Sequence, residues 1–210
     1  MTLYLALDAA TDRPTLALGT PADPGADLAL PGRRELSRDI GRLAAELLAG
    51  RGMRAANLAG VVVADGPGSF TGLRIGVAFA KGLCRAAGLP LLALPSLLGA
   101  ARAAAPDGTP VLVTYDALRG DVFRAAYRFD AGGAHALLVP ELARADAPEP
   151  PGIMLHAGEA AASAAALIRL VGVVGGARAV ADPAPWEPAY GRLAEAEARL
   201  RARQAGGRLP

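Results

Sequence analysis

Residues 60–88 constrain this chain more than any other stretch. The run Gly60-Val-Val-Val-Ala-Asp65 leads straight into Gly66-Pro-Gly-Ser-Phe-Thr-Gly-Leu-Arg-Ile-Gly76. A short β-branched apolar run predicts a buried strand, and Gly66-Pro67-Gly68 turns the chain sharply at its end. Ser69 is a favoured helix N-cap, so the apolar segment to Ala87 reads as a helix starting here. Gly68, Gly72 and Gly76 recur every fourth residue, followed by Ala80 and Cys84, and this spacing lines small side chains up on one face. Glycine inside a helix costs about 0.8–1 kcal/mol relative to alanine, so something must offset Gly72 and Gly76. Two offsets are physically available: close approach of another segment along a groove free of side chains, or an anion at the helix N-terminus. An anion reaches only the first turn, whereas close approach accounts for the whole stripe. The approaching segment is either the chain's own neighbouring strand or helix, or a second polypeptide.

Two phosphate motifs fail here. No glycine pair has the spacing and the Lys-Ser/Thr ending of a P-loop. The dinucleotide pattern Gly-x-Gly-x-x-Gly has Thr71 at its third position, and the next strand, Pro90 to Leu94, runs into Pro95 and Ser96 rather than an acid. A length of 210 residues suits one domain or two small halves. Aromatic residues are only 4% of the chain, so the core must be Ala, Leu and Val. A formal charge of +2 places no strong electrostatic demand for nucleic acid. No uninterrupted apolar window reaches the length of a membrane span. The opening Met1-Thr-Leu-Tyr-Leu-Ala-Leu-Asp8 lacks a basic leader and reads as a strand. A single cysteine forbids an internal disulfide and agrees with a reducing cytoplasm.

Leu3–Asp8 and Thr15–Gly19 read as a hairpin, residues 28–35 as a third strand, and Leu36, Ile40, Leu43, Ala44, Leu47 and Leu48 as one face of an amphipathic helix. The strand at 60–65, the glycine-striped helix, the strand at 90–94 and a helix over 96–105 complete a first half, residues 1–106. The second half, 107–210, opens with Val111–Asp116, a turn, and Val122–Phe129. This repeats the opening logic, with Asp8 and Asp116 in matching places, and so predicts two α/β halves related by internal duplication. Beyond residue 142 the expectations are a linker over 147–152, a short strand at 153–155, a helix over 159–170 and a basic tail. That tail, with Arg199, Arg201, Arg203 and Arg208, reads as a solvated basic end.

Catalytic chemistry is thin. His135 and His156, the only two histidines, lie far apart with no metal-ligand spacing. Cys84 sits in the small-residue stripe and reads as packing. Ser69 and Ser96 are capping candidates before they are nucleophiles. Asp8, before a tight turn, either caps its own hairpin or orients a water or cation against a phosphate. Arg74 falls on the exposed side of the glycine helix, where it is either solvated or clamps a carboxylate or phosphate.

Together, Leu5-Ala-Leu-Asp8, the segment 66–76, Ala80-Lys-Gly-Leu83, Leu94-Pro-Ser-Leu97, Asp116-Ala-Leu-Arg-Gly-Asp-Val-Phe123 and the late Pro188-Ala-Tyr-Gly-Arg192 resemble the bacterial TsaB (YeaZ) family of tRNA threonylcarbamoyladenosine biosynthesis proteins. The resemblance implies an actin-like, Hsp70-like (ASKHA) fold of two duplicated α/β lobes and a cytoplasmic, mainly non-catalytic role. It implies a TsaD-like catalytic subunit and a TsaE-like ATPase as partners, with ATP and metal held in those subunits and none of its own. A homodimer is implied when the chain is alone, and tRNA is reached only through the complex. It maps a pairing surface onto Leu36, Ile40, Leu43, Leu47, Gly68, Ser69, Phe70, Gly72, Leu73, Arg74, Gly76 and Ala80. Asp8, Thr11 and Asp116 would lie near any shared nucleotide. The sequence departs from the family where Leu36-Ser37 replaces a His-Ser pair at the start of the first helix. It departs again where the first turn, Ala9-Ala10-Thr11, lacks a central hydroxyl. The competing readings are a stand-alone glycoprotease-type peptidase and a small-molecule kinase on the same fold.

Overall fold

The computed structural model describes residues 2–191. Strands β1 (Tyr4–Asp8), β2 (Thr15–Gly19), β3 (Leu28–Ala29) and helix α1 (Arg33–Ala49) open the chain. They are followed by β4 (Gly60–Ala64), α2 (Phe70–Ala87), β5 (Leu91–Leu94) and α3 (Ser96–Ala104). The second half contributes β6 (Val111–Asp116), β7 (Asp121–Asp130), β8 (Gly133–Arg144), β9 (Leu155–Ala157), α4 (Ala164–Arg169) and β10 (Arg178–Ala179). One sheet runs β10-β5-β4-β1-β2-β3 and the other β8-β7-β6-β9. The duplication is explicit in the pairing: β1 is antiparallel to β2 and parallel to β4, while β6 is antiparallel to β7 and parallel to β9. These are the two α/β halves related by duplication that the repeated hairpin predicts.

Side-chain alternation on the first sheet decides which helices pack where. Leu5, Leu7, Leu16 and Leu18 face α1, packing with Leu36, Ile40, Ala44 and Leu48. Val61 and Val63 face α2 through Val77, Ala80 and Cys84. The opposite face carries Ala6, Ala17, Val62 and Ala64, which join α3, α4 and the inner face of the second sheet in one continuous core. Alanines on that face let α4 lie close, and Gly99 lets α3 cross α4, since an added methyl would stand 2.4 Å from a Leu167 methyl. Cutting the chain at 106/107 separates β1–β5 from β6–β9, but β10 pairs with β5 and α4 packs on β1 and β2.

The glycine stripe is filled from within. An added methyl at Gly68 would lie 2.4 Å from the Ala10 carbonyl oxygen, and one at Gly72 would lie 2.1 Å from that of Ala9. At Gly76 it would press Leu7 and Ala9 side chains at 3.1 and 3.2 Å. The expected bare ridge for a second polypeptide is therefore the seat of the chain's own first strand and turn. Gly72, Leu73, Gly76 and Ala80, together with Leu36 and Ile40 on α1, are buried within the chain's own cores rather than on its surface. Other local expectations shift, and the strand expected at 153–155 forms two residues later as β9. The third strand stops after two residues because Pro31-Gly32 breaks it. The helix expected over 159–170 begins as a 3-10 turn, and α4 proper waits for Ser163, whose hydroxyl accepts from the Ala166 N–H at 3.1 Å. Strand β8 went unread because register shifts in its pairing with β7, and Pro140, interrupt its alternation. The arginine tail and Arg192 lie outside the described residues.

The seam between the halves is polar at the start of α4. The Ala164 N–H donates to Thr15 Oγ1 at 3.0 Å and the Ala165 N–H to Asp27 Oδ1 at 2.9 Å. Beside them Asp8 is 1% exposed, its Oδ1 accepting from the Ala10 N–H at 2.9 Å and its Oδ2 without a hydrogen-bond partner among the described residues. Burial pushes this carboxyl up to about 6, and Asp27 adds to the shift while the Ala10 and Ser163 backbones oppose it.

Two stability measurements follow from these contacts. Gly72→Ala should destabilise by about 3 kcal/mol through overpacking. Gly82→Ala on the same helix, with open space around it, should stabilise by about 0.8–1 kcal/mol. Urea unfolding of the two variants separates the effects. For Asp8 the folded value lies above the free one, so its ionisation works against folding. That penalty is absent below the free carboxyl range, grows as pH rises towards about 6, and is complete above it. Asp8→Asn should therefore stabilise at pH 7.5, by up to about 3 kcal/mol at 1.36 kcal/mol per unit, and change little at pH 4. A gain of equal size at both pH values would contradict the burial argument.

Candidate functional site

Helices α1 and α2 lie side by side on the outer face of the first sheet. Ser69 caps α2 by accepting from the Gly72 N–H at 3.2 Å, so the helix starts where its spacing predicts. With one face of α2 committed to β1 and β4, the opposite face is left to solvent. Thr71, Arg74, Ala78 and Gly82 are exposed on it, and Leu43 and Leu47 of α1 are half-buried. Between the helices runs an apolar groove of about 380 Å³, lined by Ala44, Ala45, Leu48, Met53, Phe79 and Leu83. Gly41, Ala45 and Ala49 are exposed at four-residue spacing along its α1 side. Added methyls at Gly41 and Gly82 would meet nothing within 4 Å. The open small-residue ridge thus lies on α1 and outer α2, one helix face away from the stripe that draws the eye in the sequence. The signal Gly41-x-x-x-Ala45-x-x-x-Ala49 was present, but an amphipathic helix reading assigns those positions to solvent.

A strap formed by residues 178–191 flanks α2 on its other side. Val180 donates to the Leu91 carbonyl at 2.9 Å, and the Ala189 N–H donates to the Asp65 carbonyl at 2.7 Å. Arg178 pairs with the buried Asp65 carboxylate, whose own value is raised by burial and lowered by that arginine. Lys81, the chain's single lysine, donates to the Ala184 and Trp186 carbonyls. Phe70, 38% exposed at the head of α2, packs its ring 4.6 Å from that of Tyr190. The Arg74 guanidinium lies 5.5 Å from the Phe70 ring centroid.

Asp8, Thr11 and Asp116 each shape their own hairpins. Thr11 is buried, with Oγ1 accepting from the Arg13 N–H at 3.2 Å. Asp116 is exposed and accepts from the Leu118 N–H at 2.7 Å, while its own N–H donates to Glu159 at 3.1 Å. Asp8 and Asp116 occupy equivalent last pairs of the two hairpins, opposite Thr15 and Val122. Tyr115 stands between their surroundings, its hydroxyl pushed well up by burial, Asp8 and Glu159.

Groups suited to nucleophilic or metal chemistry are occupied elsewhere. Burial pushes the Cys84 thiol up to about 11. The Ser96 hydroxyl accepts from the Gly66 N–H at 2.9 Å. His135 and His156 are exposed and paired with Asp130 and Glu149 at 2.8 and 2.9 Å. Among the described residues no group of three or more His, Cys, Asp or Glu is placed to hold a metal, and no helix is long and apolar enough to cross a membrane.

Comparison with known proteins agrees with this architecture. The sequence profile of the TsaD family, tRNA N6-adenosine threonylcarbamoyltransferase, matches residues 32–163. The tRNA threonylcarbamoyladenosine biosynthesis protein TsaB of Escherichia coli (strain K12) is 33% identical over 146 residues, 66% of this chain and 63% of that protein. TsaB of Bacillus subtilis (strain 168) is 42% identical over 77 residues, 36% of this chain and 33% of that protein. The matched segments thus span less than two thirds of either relative. In fold, YeaZ from Pseudomonas aeruginosa superposes with a TM-score of 0.69 at 22% identity, covering 82% of this chain and 91% of that one. The duplicated halves, the Gly-Pro-Gly-Ser-Phe-Thr-Gly turn seated on the first hairpin and these matches lead to one conclusion: the chain belongs to the TsaD family and is similar to the TsaB (YeaZ) proteins.

Proposed function

We propose that this chain is a non-catalytic subunit of the cytoplasmic machinery that places threonylcarbamoyl on N6 of adenosine 37 in tRNAs reading codons that begin with A. In this reading it docks a TsaD-like catalytic subunit on the outer faces of α1 and α2, a TsaE-like ATPase joins the assembly, and tRNA is met only in the complex. ATP and metal belong to those partners. Alone, the chain pairs with a second copy through the same face.

The observation that carries the reading is the exposed apolar groove between α1 and α2, bordered by Gly41, Ala45, Ala49 and Gly82. Small exposed residues let partner backbone approach closely, and an apolar groove gains from being covered. The docking residues are accordingly Leu43, Leu47, Phe70 and Arg74 with the groove itself, while Gly68 and Ser69 shape the head of α2. The engaged state of Cys84, Ser69 and Ser96 supports a scaffold over a peptidase. The buried Asp8 carboxyl, covered beside the first turn of α4, supports it over a kinase.

The direct experiment is size-exclusion chromatography of the purified chain with its cognate TsaD-family subunit, in the presence of ATP and magnesium. Co-elution is expected, with tRNA modification recovered only when both are present. Ala45→Arg should leave thermal unfolding unchanged while weakening the complex at least about tenfold, a loss of 1.4 kcal/mol or more. Separate elution of the wild-type proteins would overturn the proposal.

A further inference from the structure

One cluster at the head of α2 is built beyond what packing requires. The Arg74 guanidinium over the Phe70 ring, and the Tyr190 ring tilted at 42° against Phe70, form a cluster contributed by α2 and the strap. Tyr190 is fixed from behind: its hydroxyl donates to Glu187 at 2.8 Å, and Glu187 also lies 4.0 Å from Lys81. Lys81 in turn holds the strap through the Ala184 and Trp186 carbonyls and sits 5.7 Å from the Trp186 ring centroid. Glu187 is therefore engaged by Tyr190 and Lys81. Arg74 is exposed and has no carboxylate partner among the described residues.

An arginine lying over an aromatic ring loses less freedom on binding than a free one, and its planar fork matches a carboxylate. Aromatic and arginine side chains are also those that dominate interface energies. We infer that Arg74, presented by Phe70 and Tyr190, receives an Asp or Glu side chain of the docked partner subunit, and that the strap is the positioning element for this contact. This rests on the docking reading above and adds a specificity point to it. The outer face of α2 carries the contact on towards the groove through Thr71, Ala78 and Gly82, all exposed. A protein carboxylate fits better than an RNA backbone, which is held by several cations, because Lys81 beside the cluster is already committed to the strap carbonyls.

The test uses the full chain and its cognate TsaD-family subunit, with affinity measured by calorimetry at two salt concentrations. Arg74→Ala and Phe70→Ala should each weaken binding about tenfold with thermal unfolding retained. Tyr190→Ala should do the same through Arg74, so that its effect largely disappears in an Arg74→Ala background. Arg74→Glu should be worse, and a scan replacing the partner's exposed acids with arginine should yield one variant that restores it. Restoration cannot arise from misfolding. If the Arg74 and Phe70 variants bind as wild type while Ala45→Arg abolishes the complex, this inference is wrong and the docking reading stands. If Arg74→Ala spares partner affinity but lowers affinity for tRNA added to the complex, the guanidinium is a phosphate ligand and the inference also fails. If the wild-type proteins do not associate, both readings fall together.

Discussion

The contact on which the rest depends is backbone against backbone, where the first turns of α2 meet the turn after β1. The Ser69 N–H donates to the Ala10 carbonyl at 2.7 Å, and the carbonyls of Ala9 and Ala10 occupy the space that side chains at 72 and 68 would fill. Few contacts in a protein are so intolerant, because the neighbours are main-chain atoms that cannot rotate away. The rotation of α2 about its own axis is thereby fixed. Once Gly72, Gly76 and Ala80 are turned inward, Thr71, Arg74, Ala78 and Gly82 can only point outward. The outward face of α2 is thus a geometric consequence of an internal contact.

The two halves share a core rather than meeting as separate bodies. α3 and α4 lie between the sheets, and residues of both halves interleave there, from Ala6 and Val62 to Tyr115, Phe123 and Ile168. That joint core leaves the Asp8 carboxyl against the first turn of α4 with one oxygen unpaired. A buried carboxylate of this kind weakens the fold at neutral pH, so its presence is not explained by stability. The equivalent Asp116 faces solvent. The duplication has therefore kept hairpin geometry while letting the two turns drift to different surroundings.

Much of this was legible in the letters. The Gly60–Ala64 strand, the Ser69 cap, α1 and the repeated hairpin followed from periodicity and turn chemistry, because each is a local property of a few residues. The partner of the glycine stripe was not legible. Spacing reveals that side chains are missing along one face, but not whose backbone arrives there, and the two alternatives have the same local signature. Strand β8 was missed for a related reason, since its alternation is broken where the pairing with β7 slips. The strap was hidden as well. A run of Pro, Ala and Gly has no period, and its role emerges only when Lys81, Asp65 and Phe70 are brought to it across more than a hundred residues.

The pairing of β10 with β5 bears on how the molecule is made. Val180 and Trp186 pack against the cluster of Val77, Cys84 and Leu91, so one core of the first sheet lacks its cover until residues 178–191 are made. On the ribosome, the opening half must wait through the synthesis of the whole second half with this apolar surface uncovered. Completion of the first sheet therefore waits for residues 178–191, and the nascent chain exposes this apolar surface until they emerge.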